Sequence, residues 1–140
     1  VIMSEKNFWS YMRGSIPLKM YRVENKVSKG MPDIHFVKSG NSGWIELKFI
    51  KNFEPNKKIN IGLKQEQHIW LKEYKSYRGK CWILLKADNT ILLFDGAEDL
   101  TKSYKREDLL IKAVWVNEGN MDEEKWNSLA MHICTDFYNL

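Results

Sequence analysis

Two apolar runs constrain this chain more than any other feature. Between Lys80 and Lys86 the sequence reads Cys81-Trp82-Ile83-Leu84-Leu85, a run typical of a strand buried on both faces. After Asp88-Asn89 a second run, Thr90-Ile91-Leu92-Leu93-Phe94, stops at Asp95-Gly96. A strand covered on both sides needs a layer of structure on each, and helical patterns elsewhere supply them. The expected class is therefore α/β, a central mixed β-sheet flanked by helices. A chain of 140 residues is long enough for one domain with a real core. We expect a single domain over residues 1–140, with its core in 4–95 and a C-terminal helical extension in 96–140.

Residues 30–50 carry the chemistry. They read as a hairpin: a strand over 33–38 with Ile34 and Phe36 alternating, a turn over Ser39-Gly40-Asn41-Ser42-Gly43, and a strand over 44–50. Side chains alternate between faces along a strand, so Ile45, Leu47 and Phe49 share an apolar face while Glu46 and Lys48 share the other. Pairing across the turn brings Asp33 toward Glu46 and Lys48. Two carboxylates this close repel unless a proton or cation lies between them. Oxygen donors of this kind suit Mg²⁺, with Mn²⁺ as a substitute, because such ions use one or two carboxylates and complete their shell with water and phosphate. A neighbouring lysine can orient a water or offset charge on a phosphate. A surface hairpin with a Glu–Lys ion pair shows the same alternation.

The flanking segments add candidates. Ser4 is the expected N-cap of a first helix ended by Gly14, with Phe8, Trp9, Met12 and Tyr11 as its apolar stripe. Glu5 sits in the first turn, where the helix dipole favours a carboxylate. Residues 20–27 alternate as a strand, with Tyr21, Val23, Asn25 and Val27 on one face and Arg22, Glu24 and Lys26 on the other. Arg22 and Lys26 are candidate nucleic-acid contacts, or simply a solvated face. His35 shares the face of Asp33 and is expected to be packed or solvated. The aperiodic stretch 51–58 reads as a loop, with Lys51, Lys57 and Lys58 as candidate backbone-phosphate contacts and Phe53 as a candidate base-stacking ring. Residues 63–77 read as a second helix ended by Gly79. Gln67 falls on its apolar stripe, where an amide is costly unless paired.

Composition narrows the setting. A formal charge of +4 is compatible with a polyanionic partner. Cys81 and Cys134 form no CxxC and no zinc spacing, as expected of buried thiols in a reducing compartment. No apolar run approaches the roughly 18 residues of a membrane span, and charges already at Glu5 and Lys6 do not suit a signal peptide. An intracellular, cytoplasmic protein is expected.

Gly30-Met31-Pro32-Asp33, followed after a short turn by Ile45-Glu46-Leu47-Lys48, resembles the PD-(D/E)XK nuclease signature. Leu63-Lys64-Gln65-Glu66-Gln67-His68-Ile69-Trp70-Leu71 resembles the glutamine-bearing helix of the VRR-NUC branch of that superfamily, in which a glutamine precedes a tryptophan by three residues, as Gln67 precedes Trp70. The matching segments span about residues 5–90. The resemblance implies a restriction-endonuclease-like core and a Mg²⁺-dependent deoxyribonuclease. In it Asp33 and Glu46 hold the metal, an acidic residue of the first helix joins them (Glu5, with Glu24 as second choice), Lys48 positions the attacking water, and Gln67 supports both. Stand-alone members of the branch resemble Holliday-junction resolvases, which implies a homodimer acting on branched DNA; the compact size suits a phage protein.

The last third is less patterned. Residues 97–102 read as a short helix, and 107–116 are ambiguous. Asn120 is the expected N-cap of a final helix, with Glu123 at the capping-box position and Trp126, Leu129, Ala130, Ile133 and Phe137 as its buried stripe. This segment would pack on the sheet or form a dimer contact.

Overall fold

The computed structural model describes residues 4–135; Phe137 lies outside them. Helix α1 (Glu5–Ser15) starts where expected, the Ser4 hydroxyl accepting from the Asn7 amide at 3.1 Å. Then come β1 (Lys19–Arg22), β2 (Ile34–Lys38), β3 (Asn41–Ile50), β4 (Lys58–Ile59), α2 (Gln65–Ser76), β5 (Lys80–Ala87), β6 (Thr90–Asp95), β7 (Tyr104–Lys105), α3 (Arg106–Lys112), β8 (Trp115–Glu118) and α4 (Glu123–Thr135). The main sheet has six strands in the order β1-β2-β3-β5-β6-β8, and β4 pairs with β7 separately. Among the described residues only β3 and β5 run parallel; the other pairs are antiparallel. Parallel neighbours need a long crossover, and here that crossover carries α2.

Each face of the sheet has its own core. On one, Phe8, Trp9 and Met12 of α1 and Trp126, Leu129 and Ile133 of α4 pack on Ile34, Phe36, Ile45, Leu47, Trp82, Leu84 and Leu93. On the other, Leu71 of α2 and Leu109 of α3 pack on Cys81, Ile83, Leu85, Leu92 and Phe94. The run 81–85 is buried along its whole length, as the sequence requires. The second core contains no residue of β1 or β2, so the sheet is left open on that face at its β1–β2 margin.

Several sequence expectations shift. The turn between β2 and β3 has two residues rather than five, because Lys38 already pairs with Asn41. Ser39 and Gly40 both have positive φ (49° and 81°), the tight turn whose twist matches the strands. The first strand stops at Arg22 instead of reaching Val27, which is 93% exposed; the alternation over 23–27 is a loop. Phe53, a candidate stacking ring, is buried in the second core beneath Arg106. Residues 97–102 form no helix. The ambiguous stretch resolves into α3 and the sixth sheet strand. At α4 the cap is Asp122, whose carboxylate accepts from the Lys125 amide at 2.9 Å, not Asn120. No helix among the described residues is long and apolar enough to cross a membrane.

Candidate active site

Register places the acids. Ile34 pairs with Ile45, so Asp33 lies opposite Glu46 at the end of the β2–β3 ladder. The Asp33 carbonyl accepts from the Val23 amide at 2.7 Å, which ties the chain after β1 to the same row. Glu46 is almost fully buried, its side chain 2% exposed, and Asp33 is 18% exposed. Burial, followed by the charge of Asp33, raises the Glu46 carboxyl from about 4.5 to about 7; the nearby Lys48 and Lys26 ammoniums oppose that rise.

Gln67 joins the two strand residues. Its Nε2 donates to Glu46 Oε2 at 3.1 Å, and its Oε1 accepts from Lys48 Nζ at 3.0 Å. Lys48 Nζ also lies 3.3 Å from Glu46 Oε2. The same Gln67 Oε1 accepts from the Lys64 amide at 2.9 Å, so one amide closes the first turn of α2 and clamps the strand. This satisfies an amide on an apolar stripe. Gln65 turns away to the Thr101 hydroxyl.

Gly30 seats the helix on the hairpin. Its φ is +86°, and a Cβ there would lie 2.1 Å from the Glu66 carbonyl oxygen. The 28–32 loop therefore presses directly on the first turn of α2, and the Trp70 indole donates to the Ser28 hydroxyl at 3.1 Å.

The other candidates divide. Lys26 reaches Asp33 Oδ1 at 2.9 Å, while Asp33 Oδ2 accepts from the Leu47 amide at 3.4 Å. Lys26 therefore serves as counter-ion to the acid. Glu5 pairs with Arg22 at 3.7 Å, Arg22 lies over the Trp9 ring, and Glu24 lines the same cleft of about 930 Å³ between α1 and β1. Neither Glu5 nor Glu24 is brought into the Asp33–Glu46 pair: among the described residues no three His, Cys, Asp or Glu side chains gather closely enough to hold an ion. Lys51, Lys57 and Lys58 surround one cleft beyond the end of β3, with Lys57 also pairing with Glu54 at 2.7 Å. Sequence reasoning missed Lys26 as a partner of Asp33, because the contact depends on the path of the 23–32 loop.

The donor set suits a small divalent cation. Glu46 Oε1 is buried without a hydrogen-bond partner, which is costly for a carboxylate. A facing acid and an orphaned buried oxygen call for a proton or a cation, and two carboxylates are the usual protein share of a Mg²⁺ shell.

No protein-family model matches the chain, and no curated protein does. Among solved structures, the chain is similar in fold to Hjc of Archaeoglobus fulgidus, a Holliday junction resolvase from an archaeal hyperthermophile. The TM-score is 0.51 at 12% identity, with 78% of this chain and 91% of that one covered. The mixed sheet flanked by helices thus shares its overall fold with that protein.

Proposed function

We propose that this protein is a metal-dependent endonuclease that hydrolyses phosphodiester bonds in branched DNA, four-way junctions in particular. One observation carries the reading: Glu46, buried with an unpartnered oxygen, faces Asp33 and shares Gln67 with Lys48. The fold likeness to a Holliday junction resolvase supports it, as does the resemblance of the Asp33…Glu46-x-Lys48 and Gln67–Trp70 motifs to the VRR-NUC branch, with a phage source as part of the same reading.

In this mechanism Asp33 and Glu46 would hold Mg²⁺, which when bound polarises a phosphoryl oxygen and acidifies its water. Lys26 is the side chain that must release Asp33, and a phosphate of the incoming strand is its natural new partner. An ammonium has three N–H donors. Gln67 and Glu46 take two from Lys48, leaving one for the attacking water or a non-bridging phosphate oxygen. Held at a fixed place, that donor stabilises the charge that develops as water attacks in line. Gln67 keeps Lys48 from swinging away. Lys51, Lys57 and Lys58, at the far end of β3, contact flanking phosphates. Two copies related by a two-fold axis would each cut one strand of a junction; sedimentation equilibrium of the free protein reads the dimer mass.

The test incubates four-way, flapped and linear duplex DNA with the protein in Mg²⁺ or EDTA. Cleavage of the junction in Mg²⁺ alone is expected, lost in Asp33→Ala and in Glu46→Ala while junction binding in EDTA persists. Undiminished cleavage by either variant refutes the assignment. Binding by the wild-type protein without any cleavage supports a silent DNA-binding module of the same fold.

A further inference from the structure

We infer that an aromatic row beside the acidic pair is a stacking platform for an unpaired DNA base next to the scissile phosphate. The row follows from register. Tyr21 of β1 pairs with His35 of β2, and His35 pairs with Trp44 of β3. Cross-strand partners point to the same face, and a strand returns to that face every second residue. Tyr21, His35 and Trp44 therefore lie on the face that carries Asp33 and Glu46, one row back, at roughly 7 Å along the strands. The His35 and Trp44 rings meet edge to face at 5.0 Å, and Trp44 meets Trp70 at 5.9 Å.

Packing explains the inner end of this row. Trp44, Trp70 and Tyr74 border the second core, and Trp70 and Tyr74 stack on each other at 5.1 Å. Packing does not explain the outer end. Tyr21 is 52% exposed at the edge of the α1–β1 cleft, on a margin where no helix of the described residues packs on this face of the sheet, and His35 beside it is only partly buried. Open aromatic faces beside a basic surface are what sequence-tolerant single-strand binding uses. The charge is present: Lys19 Nζ stands over the Tyr21 ring, 5.3 Å from its centre, whereas Lys26 at the neighbouring row is paired with Asp33.

A base inside a duplex has both faces covered by its neighbours, so within a strand only an unpaired or displaced base can lie on Tyr21. The platform thus specifies the substrate class of the nuclease proposed above, on which the inference rests: DNA whose strand is unpaired beside the cut, as at a branch point. Binding in EDTA separates the two, since it requires no cleavage.

The experiment measures anisotropy of a fluorescein-labelled oligothymidylate, and of a blunt duplex of equal length, with the full chain in EDTA. Tyr21→Ala is expected to weaken the single strand about 5- to 100-fold and to leave the duplex within about twofold, while Tyr21→Phe keeps wild-type affinity for both. Tyr21 is exposed, so both variants retain the fold, which thermal melting checks. Unchanged single-strand affinity in Tyr21→Ala, or equal loss for single strand and duplex, overturns the platform. Selective loss in Tyr21→Ala alongside a wild-type protein that never cuts DNA upholds the platform and removes only the nuclease reading.

Discussion

Glu46 concentrates the chemistry proposed for this protein in one side chain. Burial disfavours its charged form, the charge of Asp33 adds to that, and the folded-state carboxyl titrates at about 7 against about 4.5 when solvated. The folded form therefore binds the proton more tightly than the unfolded form. Its contribution to stability is complete below about pH 4.5 and is lost as pH rises through about 7. Metal-free protein in EDTA should melt at lower temperature at about pH 8 than at about pH 5, and Glu46→Gln should flatten that dependence by up to about 3 kcal/mol. Adding Mg²⁺ should recover the melting temperature at the higher pH, since a cation then takes the place of the proton. Differential scanning calorimetry of the two forms across this range makes the comparison. A wild-type profile as flat as that of Glu46→Gln would remove the buried charge from the account.

Two elements, the β2–β3 hairpin and α2, build the site between them, and Gly30 is where they touch. The loop before β2 can lie on the first turn of α2 only because residue 30 has no Cβ and tolerates a φ of +86°. Gly30→Ala should therefore destabilise the protein by about 2 kcal/mol or more, from left-handed backbone strain plus a collision with the Glu66 carbonyl. Chemical denaturation reads that loss. The same shift moves Gln67, one residue beyond Glu66, off Glu46 and Lys48, so cleavage should also fall at temperatures where the variant is still folded. An equally stable, equally active Gly30→Ala would show that the helix is seated by other contacts. The periodicity of these elements was readable in advance: Ile34 and Phe36 inward, Ile45 and Leu47 inward, Gln67 on a stripe with Trp70. Their ends were not. Alternation over 23–27 resembles a strand, yet no neighbouring strand pairs with those residues beyond Val23, and unpaired backbone does not form a sheet.

At the scale of the whole molecule, the candidate site lies on one face of the sheet, beside the second core and away from α1 and α4. Helices α1 and α4 close one face, while the acidic pair, Lys48, Gln67 and the aromatic row occupy the other. The C-terminal third is part of this plan: β8 is the sixth strand of the sheet, and the Trp82 indole donates to the Ile133 carbonyl of α4 at 3.0 Å. Ile133→Ala should thus cost about 2–5 kcal/mol by leaving a cavity in a fully buried site, yet leave cleavage per folded molecule unchanged. Urea denaturation and single-turnover cleavage at low temperature test the two halves of that statement. A loss of single-turnover rate with folding intact would mean that the two faces are coupled.

Sequence alone determined the layers and the cast. The run 81–85 can be satisfied only between two layers, Ser4 caps a helix wherever it lies, and Asp33, Glu46, Lys48 and Gln67 stood out because the segments that carry them resemble the PD-(D/E)XK and VRR-NUC motifs. Tertiary structure decided who meets whom. It gave Lys26 to Asp33, Glu5 to Arg22 and Phe53 to the core, and it aligned Tyr21, His35 and Trp44 across three strands. The physical reason is that periodicity is local, set by backbone geometry within one segment. Contacts between segments depend on register, turn length and the seat of a helix, and these follow from the packing of the whole chain at once.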